Sequence, residues 1–209
     1  MSFDKPNPLS SVSKQPALVK EPPIPMEFSY FVYQHFDKFA IPIFFGLLFT
    51  AAAMRFGMLS LLCALLNVFI IFNTYEYYRK QVRQSLVFPA IVVSVEPFLI
   101  AVYANLSTTD TPYPVVKIIS SANPNQSLYM GQWLGAACHF SGQAAKMRWQ
   151  NVHPILLNCL TSNDEAIKKA MSDISPEEWA LLEKGIDQLN APYQEGLYRI
   201  KNQFDSSLN

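Results

Sequence analysis

Two uninterrupted apolar runs dominate the first third of the chain. Phe39–Met54 reads FAIPIFFGLLFTAAAM and Phe56–Asn73 reads FGMLSLLCALLNVFIIFN. From Phe39 to Tyr75 the only charged residue is Arg55. A membrane-spanning helix needs about 20 mainly apolar residues. The second run reaches that length with Thr74 and Tyr75, the first by starting near Gln34. One helix over both runs would measure about 55 Å, well beyond a hydrocarbon core of about 30 Å. The pattern therefore predicts a two-helix transmembrane hairpin broken at Arg55-Phe56-Gly57, where Gly57 can supply the left-handed backbone that ends a helix. Gly46 and Ala52 make one helix small-sided, and Asn67 is polar at mid-depth on the other. These three are the expected helix-contact positions in lipid, with Asn67 bonding inside the hairpin or to another subunit.

From Leu86 the pattern changes to short runs rich in β-branched residues. Phe88–Val95, Phe98–Leu106, Tyr113–Ile119, Ser127–Met130, Leu134–Phe140 and Pro154–Leu160 read as strands. Glu96-Pro97 and Asn123-Pro124-Asn125 punctuate them. Five or six such runs at close spacing predict a small antiparallel β-barrel or sandwich. Two helices follow. Asn163 or Asp164 caps Glu165–Met171. Ser175-Pro176-Glu177-Glu178 carries a cap, a first-turn proline and a capping-box glutamate. Trp179, Leu182, Ile186 and Leu189 then share one face that should dock on the sheet. The expected fold is a membrane α-hairpin plus an α+β soluble domain with two C-terminal helices. Its divisions are a disordered Pro-rich tail (1–26), the hairpin with its flanks (27–84), the soluble domain (85–200) and a loose tail (201–209).

Composition sharpens this picture. Half of the 209 residues are apolar and 15% are charged, against about a quarter charged in soluble domains. Sixteen Lys and Arg balance sixteen Asp and Glu. Zero net charge leaves no basic footprint for nucleic acid, so that partner class is excluded. Tyr30 and Tyr33 before the hairpin, with Tyr75, Tyr77 and Tyr78 after it, put both ends at one interface. Lys38, Arg79, Lys80 and Arg83 oppose the lone Arg55. By the positive-inside rule both termini and the soluble domain face the cytoplasm.

Candidate chemistry is sparse. Cys138, His139, His153 and Cys159 are the residues from which a metal site or a Cys–His pair would be built. Adjacent strand residues point to opposite faces, so Cys138 and His139 do not share a tetrahedral ion. No glycine-rich phosphate loop is present. No catalytic residue, metal or cofactor is assigned. Two surfaces stand out instead. Asp164, Glu165, Asp173, Glu177, Glu178 and Glu183 form an acidic helical edge suited to a protein partner. Lys146, Arg148 and Trp149 form a basic–aromatic patch suited to headgroups.

Pro89-Ala90-Ile91-Val92, Trp149 with His153-Pro154-Ile155, and Thr161–Leu182 with its "ISPEEW" helix start carry a resemblance. Over roughly Leu86–Tyr198 the chain resembles an uncharacterised bacterial family of membrane-anchored domains. That resemblance implies a short membrane segment, a compact β domain and a C-terminal helix, and supplies no catalytic residues. The expected function is a membrane-anchored, non-enzymatic interaction or accessory protein whose partners are the lipid bilayer and other membrane-protein subunits. The alternative is a membrane-tethered enzyme or small-ligand-binding domain. Its mark would be a concave pocket holding His139 or His153 beside a carboxylate.

Overall fold

A computed structural model describes residues 24–109, 111–120, 128–143 and 148–201. The expected tail up to residue 23, Asp110, the Asn123–Asn125 turn, Lys146 and the tail from residue 202 lie outside these residues. The chain starts with a short helix, α1 (Phe28–Gln34), then α2 (Phe36–Phe56) and α3 (Met58–Arg83). Gly57 separates α2 from α3 with φ +70°, a backbone conformation that suits a residue without Cβ. The break falls where the sequence places it. The extension of the first helix back to Gln34 does not occur, because His35 interrupts it and α1 folds separately.

α2 and α3 pack side by side along the hairpin. A Cβ placed on Gly46 would lie 3.6 Å from the Asn67 Cβ, so these two positions meet across the seam. Ala52 is half-buried further along α2. Outward, the hairpin is bare: Ile41 is 69% exposed, Leu59 72% and Met58 79%. Each polar side chain in the two runs bonds to a carbonyl of its own helix or of the turn before it. Thr50 donates to the Gly46 carbonyl (2.7 Å), Ser60 to Gly57 (2.9 Å) and Asn67 to Cys63 (2.9 Å). Asn73 donates to Phe69 and Thr74 to Ile70, both at 2.9 Å. Asn67 is thus held within its own helix.

Six strands follow: β1 (Leu86–Val95), β2 (Phe98–Asn105), β3 (Pro114–Ser120), β4 (Trp133–Gln143), β5 (Trp149–Leu156) and, near the C-terminus, β6 (Gly196–Arg199). They form one antiparallel sheet in the order β5-β4-β1-β2-β3-β6. The expected barrel or sandwich is corrected to a single curled sheet with β5 and β6 at its edges. The curl brings the end of β2 to the start of β5, where the Trp149 amide donates to the Leu106 carbonyl at 2.8 Å. Leu128–Met130 is not a strand; a turn closed by the Gln132 amide on the Tyr129 carbonyl leads into β4 instead. The expected last strand begins earlier, at Trp149, and its Leu157–Cys159 end coils into a 3-10 turn. β6 has four residues, too few for an alternation to show in sequence.

Helices α4 (Asp164–Ser172) and α5 (Pro176–Asp187) begin at the expected caps. Asn163 Oδ1 accepts from the amides of Glu165 and Ala166, both at 3.1 Å. Ser175 and Glu178 exchange the reciprocal bonds of a capping box (3.3 and 3.0 Å). Leu182 is fully buried on the sheet, and Trp179 stacks on Trp133 with ring centres 4.5 Å apart. Gly185 allows the close approach: a Cβ there would sit 2.4 Å from Val116 Cγ2.

The hairpin is not a loose tether. Ile24, Phe31, Phe39, Tyr75 and Val82 form a second core with Ala137, Leu157, Leu160, Ile167 and Ala170 of the sheet domain. Two residues, Gln84 and Ser85, separate α3 from β1. Ile24 and Met26, within the stretch expected as the end of the tail, pack in this core: Ile24 is buried, and the Met26 carbonyl accepts from the Tyr75 hydroxyl (3.0 Å).

Candidate functional site

A cavity of about 470 Å³ lies where the base of the hairpin meets the sheet. The antiparallel register pairs His139 of β4 with His153 of β5, so both rings leave the sheet on one face. Ser141, two residues along β4, follows on that face. Its hydroxyl oxygen lies 2.8 Å from His153 Nε2. The helical pair contributes Lys38, Tyr77, Tyr78 and Gln81 to the same cavity. The Lys38 ammonium sits over the Tyr78 ring, 4.9 Å from its centre.

Lys117 enters from β3, across the gap that the curl leaves open. Its Nζ donates to Asn151 Oδ1 (2.8 Å) and to the Val152 carbonyl (2.6 Å), both on edge strand β5. It thereby ties β3 to β5 without a ladder between them. Its two acceptors are neutral, and no carboxylate lines the cavity among the described residues. Burial pulls the Lys117 pKa below its ordinary 10.5. Burial also holds His139 and His153 below 6.5, and for His153 the nearby Lys117 and His139 add to the effect. At neutral pH the histidines are therefore uncharged, and the cavity's positive charge rests on its lysines.

Cys138 turns into the sheet interior, opposite to its neighbour His139, as strand geometry requires. Cys138 and Cys159 are free, buried thiols. Burial raises both, Cys159 to about 11, so neither is a poised nucleophile at neutral pH. Among the acidic residues, Asp164, Glu165, Asp173, Glu177 and Glu183 are exposed. Glu178 is buried by its capping role and leaves that surface. The basic–aromatic patch is also redistributed. Arg148 stacks on Tyr113 (4.5 Å), and Trp149 packs on Phe140 (6.2 Å), at the start of β5 rather than beside the hairpin base. Lys117 and Ser141 were missed by sequence reasoning. The available signal was Lys117 itself, a lone charge in the middle of the strand run YPVVKII.

This arrangement defines a class: a curled antiparallel sheet domain, packed onto the base of an apolar helical hairpin, with a cationic, histidine-containing cavity at the junction. The chain belongs to the family described as "Protein of unknown function (DUF3239)", whose model matches residues 74–190. The match begins in the last turns of α3 and runs through α5. The chain is also similar to a crystal structure of a "putative membrane protein" from Corynebacterium diphtheriae, at 21% identity and a TM-score of 0.46. That likeness covers 54% of this chain and 98% of the other. No curated protein matches the chain. α3 is long and apolar enough to cross a membrane.

Proposed function

We propose that this chain is a membrane-anchored, non-enzymatic accessory protein. Both hairpin helices lie in the bilayer, and the sheet domain is held at the cytoplasmic surface, where it recruits or stabilises subunits of a larger membrane complex. The observation that carries this reading is the shared core between hairpin base and sheet, which fixes the domain at one height and orientation. The bare leucine and phenylalanine faces of α2 and α3 support lipid as their solvent. So does the local pairing of every polar side chain in the two runs, since hydrocarbon offers no water as a partner. α3, at 26 residues, is about 39 Å long, so its last six or so residues, with Tyr77, Tyr78 and Gln81, project to headgroup level.

Alkaline carbonate washing tests the anchor, and the expected result is retention in the vesicle pellet. Tags at residues 2 and 208 should both report from the cytoplasmic face; opposite faces would end the hairpin topology. Cross-linking in intact membranes, followed by gentle solubilisation, tests the accessory role. Recovery of the chain alone would overturn it. The cavity favours a second reading, that of a ligand-binding domain. The enzyme version of that reading expects a carboxylate beside the histidines, and the described lining residues include none.

A further inference from the structure

We infer that the cavity between hairpin base and sheet binds the phosphoryl group of an anionic ligand, either the phosphodiester of a lipid headgroup or a soluble phosphate ester. The inference deepens the second reading above. It rests on the anchored hairpin only for the source of the ligand.

Three observations lead here. First, the charge is unbalanced. Lys38 and Lys117 line one cavity whose described lining residues include no Asp or Glu, and Lys117 is held by neutral oxygens alone. A half-buried ammonium without a counterion is costly, and an entering anion would supply that counterion. Second, the donors are preset. Two bonds fix the Lys117 ammonium and leave its third N–H free, as an ammonium has three donors. Ser141 and the paired imidazoles of His139 and His153 add hydroxyl and N–H groups on the adjoining face. Third, the size and place fit. About 470 Å³ exceeds a phosphate group and accepts part of its glycerol or sugar ester. The Tyr78 and Lys38 wall belongs to the hairpin base, where a headgroup would lie beside the opening.

The full chain reconstituted in phosphatidylcholine nanodiscs provides the test. In one arm, phosphatidylglycerol is titrated into the discs; in the other, glycerol 3-phosphate is added to phosphatidylcholine discs. Binding is read by chemical-shift changes of labelled histidine side chains. Saturable shifts of His139 and His153 in the first arm alone assign the site to lipid, and in the second arm to a soluble ester. No saturable shift in either arm overturns the inference. Lys117→Met should weaken binding at least tenfold, and Lys38→Gln at least threefold. Lys168→Met, on the exposed side of α4, should leave it unchanged. Lys117→Met also removes the tie between β3 and β5, so Lys38→Gln serves as the variant that leaves the sheet intact. Wild-type affinity in both variants would dismiss the site. Carbonate extraction reads the anchor separately, so a chain that stays in the pellet but binds no phosphate fails this inference alone.

Discussion

The molecule has two hydrophobic cores, and they are built differently. The first fills the curled sheet with Phe88, Val102, Tyr103, Val116, Leu134 and Phe140, and α5 closes over it. Its residues come from strands that follow one another closely in the chain. The second joins Phe31, Phe39, Tyr75 and Val82 to Leu157, Leu160 and Ile167, residues separated by up to 136 positions. It adds polar clamps of its own. Glu27 accepts from Thr161 and from Ser162 (3.0 Å), and the Tyr30 hydroxyl donates to the Asn158 carbonyl (3.0 Å). The first core makes a domain. The second decides how that domain sits on its hairpin, and so where the cavity opens.

If the two cores act separately, breaking one should spare the other. The largest expected effect is at Phe31, fully buried among Phe39, Tyr75 and Tyr78. Phe31→Ala should cost about 3–5 kcal/mol of docking energy. Hydrogen exchange should rise in α1, in the Leu157–Cys159 turn and in α4, while β1 to β3 stay protected. Loss of protection across the whole sheet would show one cooperative unit rather than two.

A converse change lies at the interface of α5. Gly185→Ala forces a methyl against Val116 and Ile200 and should cost about 1–3 kcal/mol. The melting temperature of the sheet domain should fall, with retention in the pellet after carbonate washing unchanged. Ser175→Ala, which removes the capping box of the same helix, should cost about 1 kcal/mol with the same signature.

Legibility in the sequence followed the same division. The capping box, the hairpin break at Gly57 and the α5 face were readable because each is set by residues within about ten positions of one another. Most strand centres were readable for the same reason. The closure of the sheet was not. Whether six strands seal into a barrel depends on curl and shear, and here the ends stay open with Lys117 reaching over the gap. The cavity was legible only in fragments. His139 and His153 stood out as residues, but the register that pairs them and the approach of Lys38 and Lys117 are long-range facts. α1 and the burial of Ile24 were hidden because a proline-rich stretch precedes them and the second core that orders them is assembled from distant segments.

The smallest expected effects are pH dependences, and they test the second core and the cavity together. Hydrogen bonds from Thr161 and Ser162 hold the Glu27 carboxyl below its ordinary 4.5. A depressed acid stabilises docking above that value, and the contribution fades as pH falls through the folded-state pKa. The histidines act earlier in an acid titration. Burial holds both below 6.5, so the folded state binds fewer protons than the unfolded chain, and stability should decline as pH drops below 6.5. Lys38, Lys117, Tyr77 and Tyr78 are the titratable groups that line the cavity with this pair, and Lys117 opposes the protonation of His153. An acid titration followed by exchange in α1 should therefore show two limbs, one below 6.5 and one below 4.5. Glu27→Gln should erase the lower limb alone. His153→Gln should diminish the upper limb alone. A bound phosphoryl group reverses the sign of the upper limb, because it favours the imidazolium that the empty cavity disfavours. Ligand affinity should thus rise over the range in which the ligand-free protein loses stability. Parallel rather than opposed slopes would mean that the anion, wherever it binds, does not meet the histidines.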